Sequence, residues 1–205
     1  MTGKELVAFA RSKLGTAYVY GMKGKIMTEA NFNYLLKTYP KYMPYTDRKK
    51  IGKVCVDCSG LISWATGKVY GSGQLFDRAV KKELIRTVKD APVGALVWMK
   101  GHVGIYSGMR NGVPYYIAAD GSKYGVREVP LSCNKFTHWL LMDYIDYEED
   151  EEMKYNKLAE VPKWGKPTVE KLISEKLLVG DGKGNLNIYE SALQVFVVMD
   201  RKGLL

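Results

Sequence analysis

Histidine and cysteine are scarce in this chain. Its 205 residues include two histidines, His102 and His138, and three cysteines, Cys55, Cys58 and Cys133. Three cysteines do not build a disulfide framework. Cys55 and Cys58 form a Cys-x-x-Cys, and Cys133 and His138 could be recruited to it, but no second ligand pair has zinc-site spacing. The expectation is therefore no metal and no cofactor. No apolar run approaches the length of a membrane span. The opening residues, Met1-Thr2-Gly3-Lys4-Glu5-Leu6, lack the basic-then-apolar order of a signal peptide, and Leu6, Val7, Ala10 and Leu14 follow helical spacing instead. Residues 1–147 contain no clear internal repeat.

Acidic residues are also few where basic ones are many. The net charge is +9, and residues 1–147 carry 22 Lys and Arg against 11 Asp and Glu. Residues 148–205 carry 9 against 11. A basic first part suggests an anionic partner. No nucleic-acid-binding motif accompanies the charge, so nucleic acid is not expected.

Against this background Val56-Asp57-Cys58-Ser59-Gly60 stands out. Leu61, Ile62 and Ala65 follow Cys58 at spacings of one helix face, and Asp57 is a good N-cap, so a helix is expected to begin here. That places a thiol at the positive end of a helix dipole, where negative charge is favoured. A base for such a nucleophile must come from two histidines. Leu96-Val97-Trp98-Met99 reads as a strand, Lys100-Gly101 as a turn, and His102 to Tyr106 as a second strand. Alternation puts His102, Gly104 and Tyr106 on one face, with Gly104 leaving room beside the imidazole. His138, at the entry to the apolar run Trp139-Leu140-Leu141-Met142, reads as structural.

The Asp-Cys-Ser-Gly helix start followed by Gly101-His102-Val103-Gly104-Ile105-Tyr106 resembles the NlpC/P60 family of papain-like cysteine peptidases. Gly15-Thr16-Ala17-Tyr18-Val19-Tyr20-Gly21, Pro92-Val93-Gly94-Ala95-Leu96-Val97 and Tyr124-Gly125-Val126-Arg127 occur in the matching order. The resemblance covers roughly residues 4–146. It implies an α+β papain-like core, with N-terminal helices on an antiparallel sheet. It also implies cleavage of peptidoglycan stem peptides, of the D-γ-glutamyl–diamino acid type, at the bacterial cell wall. On the same basis Cys58 is the nucleophile and His102 the base. Tyr18 sits by the oxyanion, and Asp57 and Ser59 flank the pocket for the residue before the cut. Anionic wall polymers then become the natural partner of the basic surface. With no signal peptide in the chain, either it is cytoplasmic with assisted release, as for phage lysins, or its signal lies outside this sequence. An amidase or acyltransferase on the same scaffold, or a wall-binding module of little activity, remain alternatives.

The chain departs from the family at the residue that orients the base. The next strand is Tyr115-Tyr116-Ile117-Ala118-Ala119-Asp120, and the closest alignment puts Ala118 at that position. Asp120 shares its face but lies two residues on, about 7 Å away; it replaces the missing orienting group if the strand bends near Gly121, and otherwise a backbone carbonyl does so. Met22 to Lys53 is an insertion. Thr28 caps an expected helix with Phe32, Leu35, Leu36 and Tyr39 as its apolar stripe, ended by Pro40. The insertion is either one wall of the substrate groove or a packed surface excursion.

Glu148-Glu149-Asp150-Glu151-Glu152 marks the expected boundary between a catalytic domain at 1–147 and a linker at 148–160. Residues 161–205 read as a small helical module that binds the wall, docks on the catalytic domain or pairs two copies as a homodimer. It resembles the helical tails of phage endolysins. One helix carries Val169, Leu172, Ile173 and Lys176 and stops at Gly180; another runs from about Tyr189 to Arg201. The intervening loop lacks the Gly-Lys-Ser/Thr ending of a phosphate loop and the acidic ligands of a calcium loop.

Overall fold

A computed structural model describes residues 1–147 and 153–205, so the acidic run at 148–152 lies outside the described residues. The chain divides into two compact units, Met1–Tyr147 and Glu148–Leu205. In the first, helices α1 (Gly3–Ser12), α2 (Glu29–Thr38), α3 (Cys58–Thr66) and α4 (Ser72–Arg78) accompany nine strands. These are β1 (Ala17–Tyr18), β2 (Lys23–Ile26), β3 (Val54–Val56), β4 (Lys81–Leu84), β5 (Leu96–Met99), β6 (His102–Arg110), β7 (Val113–Ala119), β8 (Val126–Pro130) and β9 (His138–Leu141). The fold is α+β.

The main sheet is antiparallel with strand order β4-β9-β5-β6-β7-β8. Helices α1 and α3 cover one face. Leu6, Val7 and Ala10 of α1 and Leu61 and Ile62 of α3 are buried with Val103, Ile105 and Ile117 of the sheet. The other face buries Val97, Tyr106, Tyr116, Ala118, Phe136 and Trp139. Helix α1 begins with a complete capping box between Thr2 and Glu5 and ends at Ser12, which leaves Leu14 exposed rather than on the apolar stripe. Strand β6 continues beyond Tyr106 to Arg110, through a bulge between Tyr106 and Gly108.

A second sheet, β1-β3-β2, carries the approach to Cys58. Strand β1 runs parallel to β3, with Ala17 opposite Cys55 and Tyr18 opposite Val56. The Tyr18 segment is thereby laid beside the residues that lead into α3. Strand β2, at the start of the insertion, pairs antiparallel with β3 on its other side. The insertion then forms α2, capped by Thr28 and closed at Tyr39. It ends in a 3-10 turn, Tyr45–Lys50, that holds a buried ion pair. Lys50 Nζ donates to Asp47 Oδ1 at 2.6 Å, to the Tyr18 carbonyl at 2.6 Å and to the Ser122 carbonyl at 3.3 Å. Ser122 Oγ donates to Asp47 Oδ2 at 2.8 Å. Every proton of the ammonium is used, which is the condition for burying it.

The second unit contains strands β10 (Lys154–Tyr155) and β11 (Ile188–Tyr189) and helices α5 (Lys166–Ser174) and α6 (Glu190–Arg201). Tyr155, Val161, Val169, Ile188, Leu193 and Val197 form its core. Residues 153–160, expected as linker, belong to this unit: β10 pairs with β11, and the Tyr155 hydroxyl donates to Glu190. Helix α5 stops earlier than Gly180, because Lys176 already takes a positive φ of 61°. In the 180–185 loop, Asp181 accepts the Lys183 and Asn185 amides at 2.8 and 3.0 Å and the Asn185 side-chain amide at 2.8 Å. The loop consumes its own carboxylate.

Removing one partner of a buried ion pair strands the other. Lys50→Met should therefore cost about 3–5 kcal/mol in urea unfolding. Asp47→Leu combined with Lys50→Met should recover part of that loss. A single variant as stable as wild type would show that the pair holds nothing in place.

Candidate functional site

Cys58 is the first residue of α3. Asp57 caps the helix: its Oδ1 accepts the Gly60 amide, as a helix N-cap should. The same carboxylate accepts Ser59 Oγ at 3.1 Å and, through Oδ2, the Gly21 amide at 2.8 Å. Asp57 thus ties the helix start to the Tyr18–Gly21 segment. Gly60 is required here, because a Cβ would lie 2.1 Å from the Met22 carbonyl oxygen. The first-turn amides of Cys58 and Ser59 have no protein acceptor among the described residues. They can donate to an oxyanion formed at the thiol. Cys58 is 9 % exposed, enough for a substrate to reach from one side.

His102 opens β6. Its Nε2 donates to Asp120 Oδ1 at 2.9 Å, which leaves Nδ1 as the ring nitrogen for the Cys58 sulfur. Phe136 stacks on the imidazole, with centroids 5.8 Å apart and planes 16° from parallel. Burial alone would lower the His102 pKa. The hydrogen bond to Asp120 and then the nearby Cys58 sulfur outweigh it and raise the imidazole from its ordinary 6.5 to about 9.

Asp120, the candidate orienter, reaches the imidazole through the pairing of β6 with β7. The β6–β7 register pairs Ile105 with Ile117 and Tyr106 with Tyr116. Continued along the strands, it sets Gly104 against Ala118 and His102 against Asp120. Ala118 is therefore not the residue opposite the base. It packs against Gly104, where a Cβ would come within 3.3 Å of the Ala118 Cβ and 2.8 Å of the Tyr116 ring. The space at Gly104 is taken by Tyr116, whose hydroxyl donates to Asp120 Oδ2 at 2.6 Å.

Three residues that complete the cluster were not evident from sequence. Tyr116 is one. Arg127 Nε donates to Asp120 Oδ2 at 2.6 Å, and Asn134 Nδ2 donates to Asp120 Oδ1 at 3.1 Å and to the Tyr116 hydroxyl at 2.7 Å. The arginine of the Tyr124–Arg127 motif was the available signal for Arg127. Burial would raise the Asp120 carboxyl, but the donors His102, Tyr116 and Arg127 outweigh it and hold it below its ordinary value. The site can therefore keep a carboxylate and an imidazolium side by side at neutral pH.

Tyr18 is half-buried, and burial followed by the nearby Cys58 and Asp57 pushes its hydroxyl pKa well up. It stays a proton donor, with no protein hydrogen-bond partner for its hydroxyl among the described residues. Ser59 is buried and bonded to Asp57. Both Asp57 and Ser59 line a cleft of about 530 Å³ that opens over Cys58. The insertion forms one wall of it through Tyr34, Leu35, Tyr39 and Tyr42; Tyr70 and Gln74 lie among the residues lining it elsewhere. His138 sits in an aromatic cluster with Phe76 and Trp98, at 5.3 and 6.1 Å. Cys55 is fully buried in β3, and burial raises its thiol. No group of three or more potential metal ligands occurs among the described residues.

No protein-family model and no curated protein sequence matches the chain. Solved structures do. One is the NlpC/p60 domain of the peptidoglycan hydrolase SagA, at 21 % identity and a TM-score of 0.44, covering 69 % of this chain and all of that one. A second is the P60 domain of antigen MAP1204 from M. avium subspecies paratuberculosis, at 21 % and 0.45, covering 69 % and 94 %. A third is NlpC2 from Trichomonas vaginalis, at 22 % and 0.44, where the match covers 69 % of this chain and 46 % of that one. The chain is similar to NlpC/P60 domains.

The raised imidazole has a signed consequence. Its contribution to stability is fully present below pH 6.5 and is lost as pH rises through about 9. The His102 ring resonances should titrate near 9 in NMR, and Asp120→Asn should move the midpoint towards 6.5 or below. A midpoint unmoved by that change would show that Asp120 does not sustain the charge.

Proposed function

We propose that the chain is a cysteine hydrolase acting on peptide bonds of peptidoglycan stem peptides. The observation that carries the chemistry is the line Cys58–His102–Asp120, with the imidazole bonded to a buried carboxylate and facing a thiol at a helix N-terminus. The substrate class rests on the motif resemblance, and the basic surface of residues 1–147 is compatible with an anionic wall.

In the proposed reaction the Cys58 thiolate, its proton held by His102, attacks the carbonyl carbon. A C–S bond forms, and the oxygen takes up negative charge facing the Cys58 and Ser59 amides, with the Tyr18 hydroxyl as a further donor. Collapse breaks the C–N bond, and the imidazolium protonates the departing amine. Water, deprotonated by the now neutral His102, then cleaves the thioester, releasing a carboxylate and restoring the thiol. Asp120 holds the ring so that Nδ1 points at sulfur, and stabilises the imidazolium without itself taking the proton. A complete orienting group weighs against a module that only binds.

Mass spectrometry of purified peptidoglycan after incubation tests this. New amino termini on the diamino acid are the expected products; stem peptides freed from the sugar would mean an amidase instead. Cys58→Ala should lower turnover by about 10³-fold or more, and His102→Ala nearly as much, since paired groups do not act additively. Cys55→Ala should retain most activity. Equal loss in the Cys55 and Cys58 variants would remove the nucleophile assignment.

A further inference from the structure

The wall that the insertion adds to the cleft is aromatic in a particular way. Tyr42 stacks on Tyr20 with centroids 4.7 Å apart and planes 14° from parallel, and Tyr39 meets Tyr20 edge-on at 5.2 Å. The three rings form one block beside Cys58, yet Tyr39 and Tyr42 remain 38 % and 52 % exposed. Exposed, mutually fixed tyrosines present flat apolar faces with hydroxyls at their edges. They offer contact area at little cost in side-chain ordering, because stacking has already immobilised them. The matching ligand surface is also flat, apolar on its face and hydroxylated at its rim, which describes a pyranose ring better than an aliphatic side chain.

Charge narrows the choice further. Among the described residues that line the cleft, Lys23 is the one cation and Asp57 the one carboxylate. Asp57 is already engaged by the Gly21 amide, the Gly60 amide and Ser59 Oγ. A free amino terminus entering here would meet a lysine and a single carboxylate that already accepts three donors. That setting favours an acylated end over a free ammonium in this part of the cleft. On the proposed reading Asp57 and Ser59 flank the side before the cut, and the end of a stem peptide on that side is the one joined to the glycan.

We propose that Tyr20, Tyr39 and Tyr42 form a saccharide subsite, so that the chain takes stem peptides still attached to their sugar. This rests on the stem-peptide reading above. The subsite is built from residues that the motif match does not include, apart from Tyr20. It makes the insertion a determinant of substrate choice.

The test uses full-length Cys58→Ala protein, which binds without turnover, titrated calorimetrically with three ligands. These are a stem tripeptide with a free amino end, the same peptide N-acetylated, and the same peptide linked to N-acetylmuramic acid. The sugar-linked ligand should bind about fivefold or more tightly than the acetylated one, the scale of one stacked ring. Adding Tyr42→Ala, or Tyr39→Ala as an independent variant, should bring that ratio close to one, while Tyr42→Phe keeps most of it. Equal affinity for the acetylated and sugar-linked peptides overturns the subsite, as does a ratio unchanged in both alanine variants with native circular dichroism. If none of the three ligands binds and wild-type protein cleaves none, the stem-peptide reading itself falls and the subsite with it. Turnover of all three at equal efficiency overturns the subsite alone.

Discussion

One buried carboxylate organises the site. The side chain of Asp120 is 1 % exposed and receives four donors, from His102, Tyr116, Arg127 and Asn134. A charge so placed is tolerable only because it is this fully bonded. Each donor comes from a different place: the start of β6, the middle of β7, the start of β8 and the segment after a 3-10 turn. The carboxylate therefore bonds the imidazole and also fixes four segments at the end of the sheet. In the proposed reaction the imidazolium it sustains is the partner of the Cys58 thiol, so the charge on the imidazole depends on the integrity of the whole cluster.

A second fixed point lies at the start of α3. Asp57 holds the start of α3 to Gly21, and Lys50 holds the Tyr18 carbonyl to the Ser122 carbonyl, two residues beyond Asp120. The insertion thus contributes a buried strut as well as a wall. Tyr18, Cys58 and Asp120 are connected through backbone bonds that end on one ammonium and one carboxylate. Displacement of any one of these segments would be felt by the other two, which is how a positioning network keeps reacting groups within a fraction of an ångström.

The sequence made local features legible and left pairwise ones hidden. Asp57 as a cap, Cys58 on the first turn and the β5–turn–β6 hairpin all follow from neighbours within a few residues, and all are present. The partner of His102 depends on the β6–β7 register, a non-local quantity. Alignment to the family motif points to Ala118 and strand parity allows Asp120, whereas counting across the ladder selects Asp120. Asn134 and Lys50 were invisible for the same reason: an isolated Asn or Lys carries no sign of the carboxylate it will meet. Residues 153–160 were read as linker because an acidic run precedes them, but Tyr155 finds its place only when β11 is there to pair with β10.

The most direct measurement is the intact mass of the protein during turnover of a stem peptide, quenched in acid and followed by peptide mapping. The account predicts a transient mass gain equal to the acyl half of the substrate, located on the peptide that contains Cys58. It also predicts that Asp120→Asn slows the appearance of this adduct without moving it elsewhere. Product accumulating with no adduct, or an adduct at Cys55 or Cys133, would contradict it.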